Sequence, residues 1–107
     1  MSGTTVVRGN AFKSNLYAIT LSPASVANAT TAEQTFAVNG LNTTDFVYVI
    51  KPSNQAGLAI TNCRVSAANT LAISFGNVTA ATITPTGGEV YTLWHAVSEY
   101  QPLQTTP

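Results

Sequence analysis

Charge is what this 107-residue chain has least of. Four Lys or Arg and four Asp or Glu make up 7% of it, against about 25% in an ordinary soluble domain. The formal net charge is zero. The cations Arg8, Lys13, Lys51 and Arg64 are scattered, which excludes nucleic-acid binding through counterion release and a polybasic membrane patch. A single cysteine, Cys63, excludes an internal disulfide. No apolar run approaches the roughly 18 residues of a membrane span. Met1-Ser2-Gly3-Thr4-Thr5 has neither the charged nor the apolar region of a secretion signal. The expectation is assembly in a cytoplasm.

Residues that do chemistry are equally sparse. His95 is the only histidine. A nucleophile–His–acid arrangement would have to join it to Cys63 or a serine, yet the pattern sets it inside a strand beside Trp94, away from any loop tip. One Cys and one His, 32 positions apart, do not make a tetrahedral zinc site without carboxylates. The acids Glu33, Asp45, Glu89 and Glu99 are never closer than ten residues, so no Asp-rich calcium loop exists. A carboxylate pair for glycoside hydrolysis would have to converge through folding. Gly76 and Gly87-Gly88 lack the following helix and Lys of a phosphate loop and read as turn glycines. Sequons at Asn28, Asn42 and Asn77 match the roughly two expected by chance and carry no meaning without secretion. The chain reads as a non-enzyme, with no catalytic residues, cofactor or metal.

What is present is apolar and polar-uncharged. Hydrophobic residues are 45% of the chain, enough to fill the core of a single domain that can bury about 65% of its unfolded surface. The remaining surface must be Thr, Ser, Asn and Gln. Near-zero net charge favours self-association, and such a surface suits contacts through hydrogen bonds and flat packing. Both fit a protein that lives inside an assembly.

Period-two patterning predicts strands. Leu16–Leu21 is the first, stopped by Ser22-Pro23, and Ala24–Thr31 follows as a loop or a single helical turn. Thr35–Val38 is closed by Asn39-Gly40, a strong turn dipeptide. Phe46–Ile50 is apolar throughout, which predicts a central strand covered on both faces. In Leu58–Val65 the register is ambiguous: Leu58, Ile60, Asn62 and Arg64 share one face, and a bulge could switch faces midway. Thr70–Phe75 sets Leu71, Ile73 and Phe75 inward, with Thr70, Ala72 and Ser74 outward. The last strand, Val90–Val97, holds Trp94, whose expected use is core packing. No helix is amphipathic. The fold class is all-β: one β-sandwich of six to eight short antiparallel strands, jelly-roll or immunoglobulin-like. It spans residues 14–98, after an extended arm over 1–13 and before an irregular tail over 99–107.

The stretch Gln55–Thr79, with its Val65-Ser66-Ala67 and Asn69-Thr70-Leu71 hairpin, resembles small β-domains of tailed-bacteriophage virion proteins, capsid decoration (cement) proteins in particular. So does Thr82–Tyr91, with Thr84-Pro85-Thr86-Gly87-Gly88-Glu89 before a terminal strand. The resemblance covers residues 45–97. It implies a β-sandwich on the outer surface of a virion, bound to the major capsid protein, clamping neighbouring capsomers and often forming a homotrimer. It carries over no catalytic residue. The arm lies outside it and is read on its own residues: Val6, Val7 and Phe12 anchor it, and Arg8 and Lys13 pair with capsid acids. The alternative is a tail- or fibre-associated virion module in which Trp94, Tyr91 and the loop 76–89 contact sugar, with Tyr100 nearby. A bacterial adhesin module is disfavoured by the missing export signal and repeats.

Overall fold

A computed structural model describes residues 11–99 together with 102, 103, 105 and 106. The described residues hold six strands and no helix: β1 (Ala11–Leu21), β2 (Thr30–Ala37), β3 (Phe46–Ile50), β4 (Leu58–Ala67), β5 (Thr70–Asn77) and β6 (Glu89–Ser98). They form two three-stranded sheets, ordered β1-β6-β3 and β2-β5-β4. Every pairing is antiparallel, and the sheets do not close into a barrel.

Each sheet is built around one strand whose alternate residues are the most apolar. In β5, Leu71, Ile73 and Phe75 are fully buried, as are Tyr91 and Leu93 in β6. They join Val47 and Val49 of β3 and Val65 of β4 in one hydrophobic cluster drawn from both sheets. Burial of a large apolar side chain contributes roughly 1.5–3 kcal/mol, so this cluster is the main stabilising term. The β4–β5 turn relies on Asn69 at φ 58°, a left-handed conformation that Asn tolerates. Its side-chain Oδ1 also accepts the Gly40 backbone N–H at 2.7 Å, tying the hairpin to the loop after β2.

The ambiguous register of the fourth strand resolves through a bulge between Ile60 and Asn62. Before it Leu58 and Ile60 pair with Asn77 and Phe75; after it Cys63 and Val65 pair with Ile73 and Leu71. Inward facing therefore passes from even to odd positions at Thr61. The predicted Leu71, Ile73 and Phe75 set lies inward, but Ala72, expected outward, is also fully buried. It sits on the outer side between Thr35 and Arg64, on the strand that the Arg64–Glu33 pair spans.

Three further expectations are corrected. Phe46–Ile50 has the expected bounds but is an edge strand with one covered face, since Phe46, Tyr48 and Ile50 are each about half exposed. Trp94 points away from the core and is 43% exposed. The second strand begins at Thr30, earlier than its apolar residues announce, because Thr30–Gln34 pair with Ile73–Asn77. The stretch before it makes no helical turn. It is a loop pinned by a bridge in which Val26 and Ile83 exchange backbone hydrogen bonds of 2.8 and 3.1 Å.

Asn77 organises that end of the molecule. Its buried amide donates to the carbonyls of Val26 and Ala81 and accepts from the backbone N–H and hydroxyl of Thr79. A side chain so enclosed has no free amide for a glycan, which removes one of the three sequons.

Candidate functional site

Alternation along β6 separates two sets of side chains. Tyr91, Leu93 and His95 point into the core; Val90, Thr92, Trp94 and Ala96 point out. Register then fixes what surrounds Trp94. Leu16 of β1 lies on one side of it and Tyr48 of β3 on the other. The rows beside this one place Phe46 next to Ala96, Ile50 next to Thr92 and Thr20 next to Val90. The result is a flat outer face carrying Leu16, Phe46, Tyr48, Ile50, Val90 and Trp94, each between 43% and 71% exposed. Among the described residues the face has no charged side chain: its other positions include Ser14, Ala18, Thr20, Thr92 and Ala96.

The aromatic part of this face is ordered. The Phe46 and Trp94 rings meet edge to face with centroids 5.4 Å apart, the arrangement favoured by their quadrupoles. Trp94 Nε1 donates to Ser14 Oγ at 2.7 Å. Covering the indole therefore leaves no buried donor without a partner.

The outer face of β2-β5-β4 has none of this character. Its alternate positions are Glu33, Thr35, Asn62, Arg64, Ala72 and Ser74. Arg64 Nε and Nη2 donate to the two oxygens of Glu33 at 2.8 and 2.7 Å, a bidentate pair across β5. The Arg64 guanidinium holds the Glu33 carboxyl below its ordinary range. A second pair closes the end of the other sheet: Lys51 Nζ donates to Glu89 Oε1 at 2.8 Å, and the Ser53 hydroxyl donates to Glu89 Oε2. These donors lower the Glu89 carboxyl too.

Among the described residues the interior holds one acid–base pair. His95 Nε2 lies 2.7 Å from Asp45 Oδ2, and both side chains are almost fully buried. Asp45 Oδ2 also accepts the Asn42 backbone N–H at 2.9 Å, while the Asp45 N–H donates to the Asn42 carbonyl. The pair thus fastens the turn before β3 to the centre of β6. The Tyr17 ring lies 6.3 Å from the imidazole, centroid to centroid. Sequence reading had no access to this pair, because its members stand 50 positions apart. Cys63 is half-buried, and burial pushes its thiol up and away from the reactive thiolate. Tyr91 is fully buried, its hydroxyl has no partner among the described residues, and burial pushes that phenol up. Among the described residues no three His, Cys, Asp or Glu side chains cluster to hold a metal ion, and no helix is long and apolar enough to cross a membrane.

Of the residues chosen from sequence, Val6, Val7 and Arg8 lie outside the described residues. Phe12 and Lys13 fall within β1, where Lys13 pairs with Val97 and is exposed. Trp94 and Tyr91, grouped together for sugar contact, point to opposite sides of β6, and Tyr100 lies outside the described residues. The neighbours that sequence reading missed are Leu16, Phe46, Tyr48 and Ile50. Their signal was an apolar run longer on one parity than a one-sided core requires. In comparisons with known proteins, no family model, no curated protein and no solved structure matches this chain.

Proposed function

We propose that the protein is a non-enzymatic structural component of a bacteriophage virion, a capsid decoration protein, and that its two sheets are the layers of a β-sandwich. The observation that supports a contact function is the uncharged outer face of β1-β6-β3. Its six large side chains expose about 600 Å², taking roughly 150–250 Å² for each when fully exposed. A typical monomer's largest apolar patch is about 300–600 Å² and is often functional, and this face stands at the top of that range. The virion assignment itself rests on the resemblance of residues 45–97.

In this reading the chain works by mass action. A component that binds the assembled shell better than its separate parts stabilises the shell, and repetition over many symmetric sites multiplies a modest contact. The partner is the major capsid protein, reached through the residues before β1, with Val6 and Val7 as anchors and Arg8 pairing with a capsid acid, and with Phe12 and Lys13 continuing that contact from the start of β1. The test is co-sedimentation with purified capsid shells, using the full chain and a form lacking residues 1–10. The deletion stops there because Ala11 begins β1. Binding by the full chain and its loss on deletion are expected. Failure of the full chain to sediment with shells contradicts the virion reading, and undiminished binding after deletion contradicts the role of the arm.

The exposure of Trp94 beside Tyr48 and Phe46 favours one second reading, a tail- or fibre-associated module that stacks sugar on this aromatic cluster. Glycan binding that disappears in Trp94→Ala would support it over the first.

A further inference from the structure

We propose that the outer face of β1-β6-β3 is where a second copy of this chain docks, sheet against sheet about a two-fold axis. The inference rests on reading this face as a protein-contact surface, not on the virion assignment.

Area is the first argument. The six large side chains supply about 600 Å². Ser14, Ala18, Thr20 and Thr92, all exposed, lie between them. Together they bring the face to roughly the 800 Å² per partner of a standard stable interface. Composition is the second. Interface centres are depleted in charge and enriched in Trp, Tyr and Phe, and this face has all three aromatics and no charged residue.

Self-complementarity is the third argument and selects the occupant. In a two-fold contact the same residues meet from both sides, so any net charge on the face would confront its own copy. This face has none to repel. A charged partner surface, conversely, would lose hydration here and find no counter-charge. The opposite outer face, with Glu33 and Arg64, lacks the apolar character for such a contact. Flat faces of two sheets can approach to about 10 Å with interdigitated side chains. Trp94, central on the middle strand, is the anchor, with Leu16 and Tyr48 on its two sides. A two-fold contact makes a dimer, not the trimer implied by the resemblance, the soluble unit.

Light scattering and sedimentation equilibrium on the full chain, across a concentration series and without shells, test this. A reversible dimer of twice 11.1 kDa is expected. Trp94→Glu and, separately, Tyr48→Lys should each weaken self-association by about 30-fold or more, the loss expected of an interface hot spot. Arg64→Gln on the other face should leave it unchanged. Circular dichroism and a melting curve for each variant establish that it is folded; two chemically different substitutions guard against one that is not. A wild-type monomer at every concentration overturns the inference, as does an oligomer insensitive to both folded variants. A monomer that still sediments with shells refutes the dimer and leaves the virion reading standing; a dimer that ignores shells does the reverse.

Discussion

The outer faces of the two sheets sit on matching scaffolds, three antiparallel strands with the most buried one in the centre, and they show opposite things to water. One presents Leu16, Phe46, Tyr48, Ile50, Val90 and Trp94; the other presents Glu33, Thr35, Asn62, Arg64 and Ser74. None of the exposed large hydrophobic residues lies on β2, β4 or β5. Besides the Lys51–Glu89 pair at the end of the first sheet, one acid–base pair belongs to a face of each sheet, and these two are placed inversely. Asp45–His95 is buried on the core side of β1-β6-β3, whereas Glu33–Arg64 spans the outside of β2-β5-β4. The first sheet thus has apolar residues on both faces, its charged side chains being Lys13 near the start of β1 and the Lys51–Glu89 pair at one end.

Neighbours on β6 give the largest contrast. Leu93→Ala opens a cavity in the core and should cost about 3 kcal/mol of stability, read as a lower denaturant midpoint. Trp94→Ala, one residue on, loses the edge-to-face contact with Phe46 and the bond to Ser14 and should cost the isolated monomer about 1–2 kcal/mol. Equal losses would mean that Trp94 is part of the folding core and that the two faces of this sheet are not distinct.

The acid–base pairs give the next. Asp45→Ala leaves His95 Nε2 and the Asn42 N–H without their hydrogen-bond partner in a buried place, at a cost of about 1–3 kcal/mol. Glu33→Gln removes half of an exposed pair, and exposed pairs contribute little, so the melting midpoint should hardly move. A ranking in the opposite order would undo the assignment of inside and outside.

Acid sharpens the same point. The Glu33 and Glu89 carboxyls are held below their ordinary value of 4.5 by Arg64, and by Lys51 with Ser53. In the unfolded chain they protonate first as pH falls. The unfolded state then binds more protons, and the stabilisation, complete above about 4.5, is lost as pH drops through the lower folded values. Melting temperature should decline across that window. Self-association through an uncharged face should respond neither to that window nor to added salt while the protein remains folded. The smallest effect reverses sign: Tyr91→Phe removes a buried hydroxyl that has no partner among the described residues, so it should be neutral or slightly stabilising.

Much of the fold was legible because alternation and turn residues act locally. Leu71, Ile73 and Phe75 mark one face unaided, Asn69 marks the hairpin, and the Leu58–Val65 pattern cannot keep one face without a bulge. The contact face was not legible, for a physical reason. An apolar run such as Phe46–Ile50 reads the same whether its second face is covered by its own chain or by another. Along Val90–Val97 both parities are partly apolar, so Tyr91 and Trp94 could each have been core. The Asp45–His95 pair depends on the loop before β3 reaching β6, a long-range placement that no local pattern encodes. Β-strand pairing also extends β2 through Thr30–Gln34, residues with almost no apolar signal.

Hydroxyl-radical footprinting of the full chain at low and high concentration would test most directly the claim that the two outer faces have different fates. Protection on association should be confined to side chains of the first face, Leu16, Phe46, Tyr48 and Trp94, with residues of β2 and β4 unchanged. Protection centred on the Glu33–Arg64 face, or oligomers in which Trp94 and Tyr48 stay as reactive as in the monomer, would contradict it.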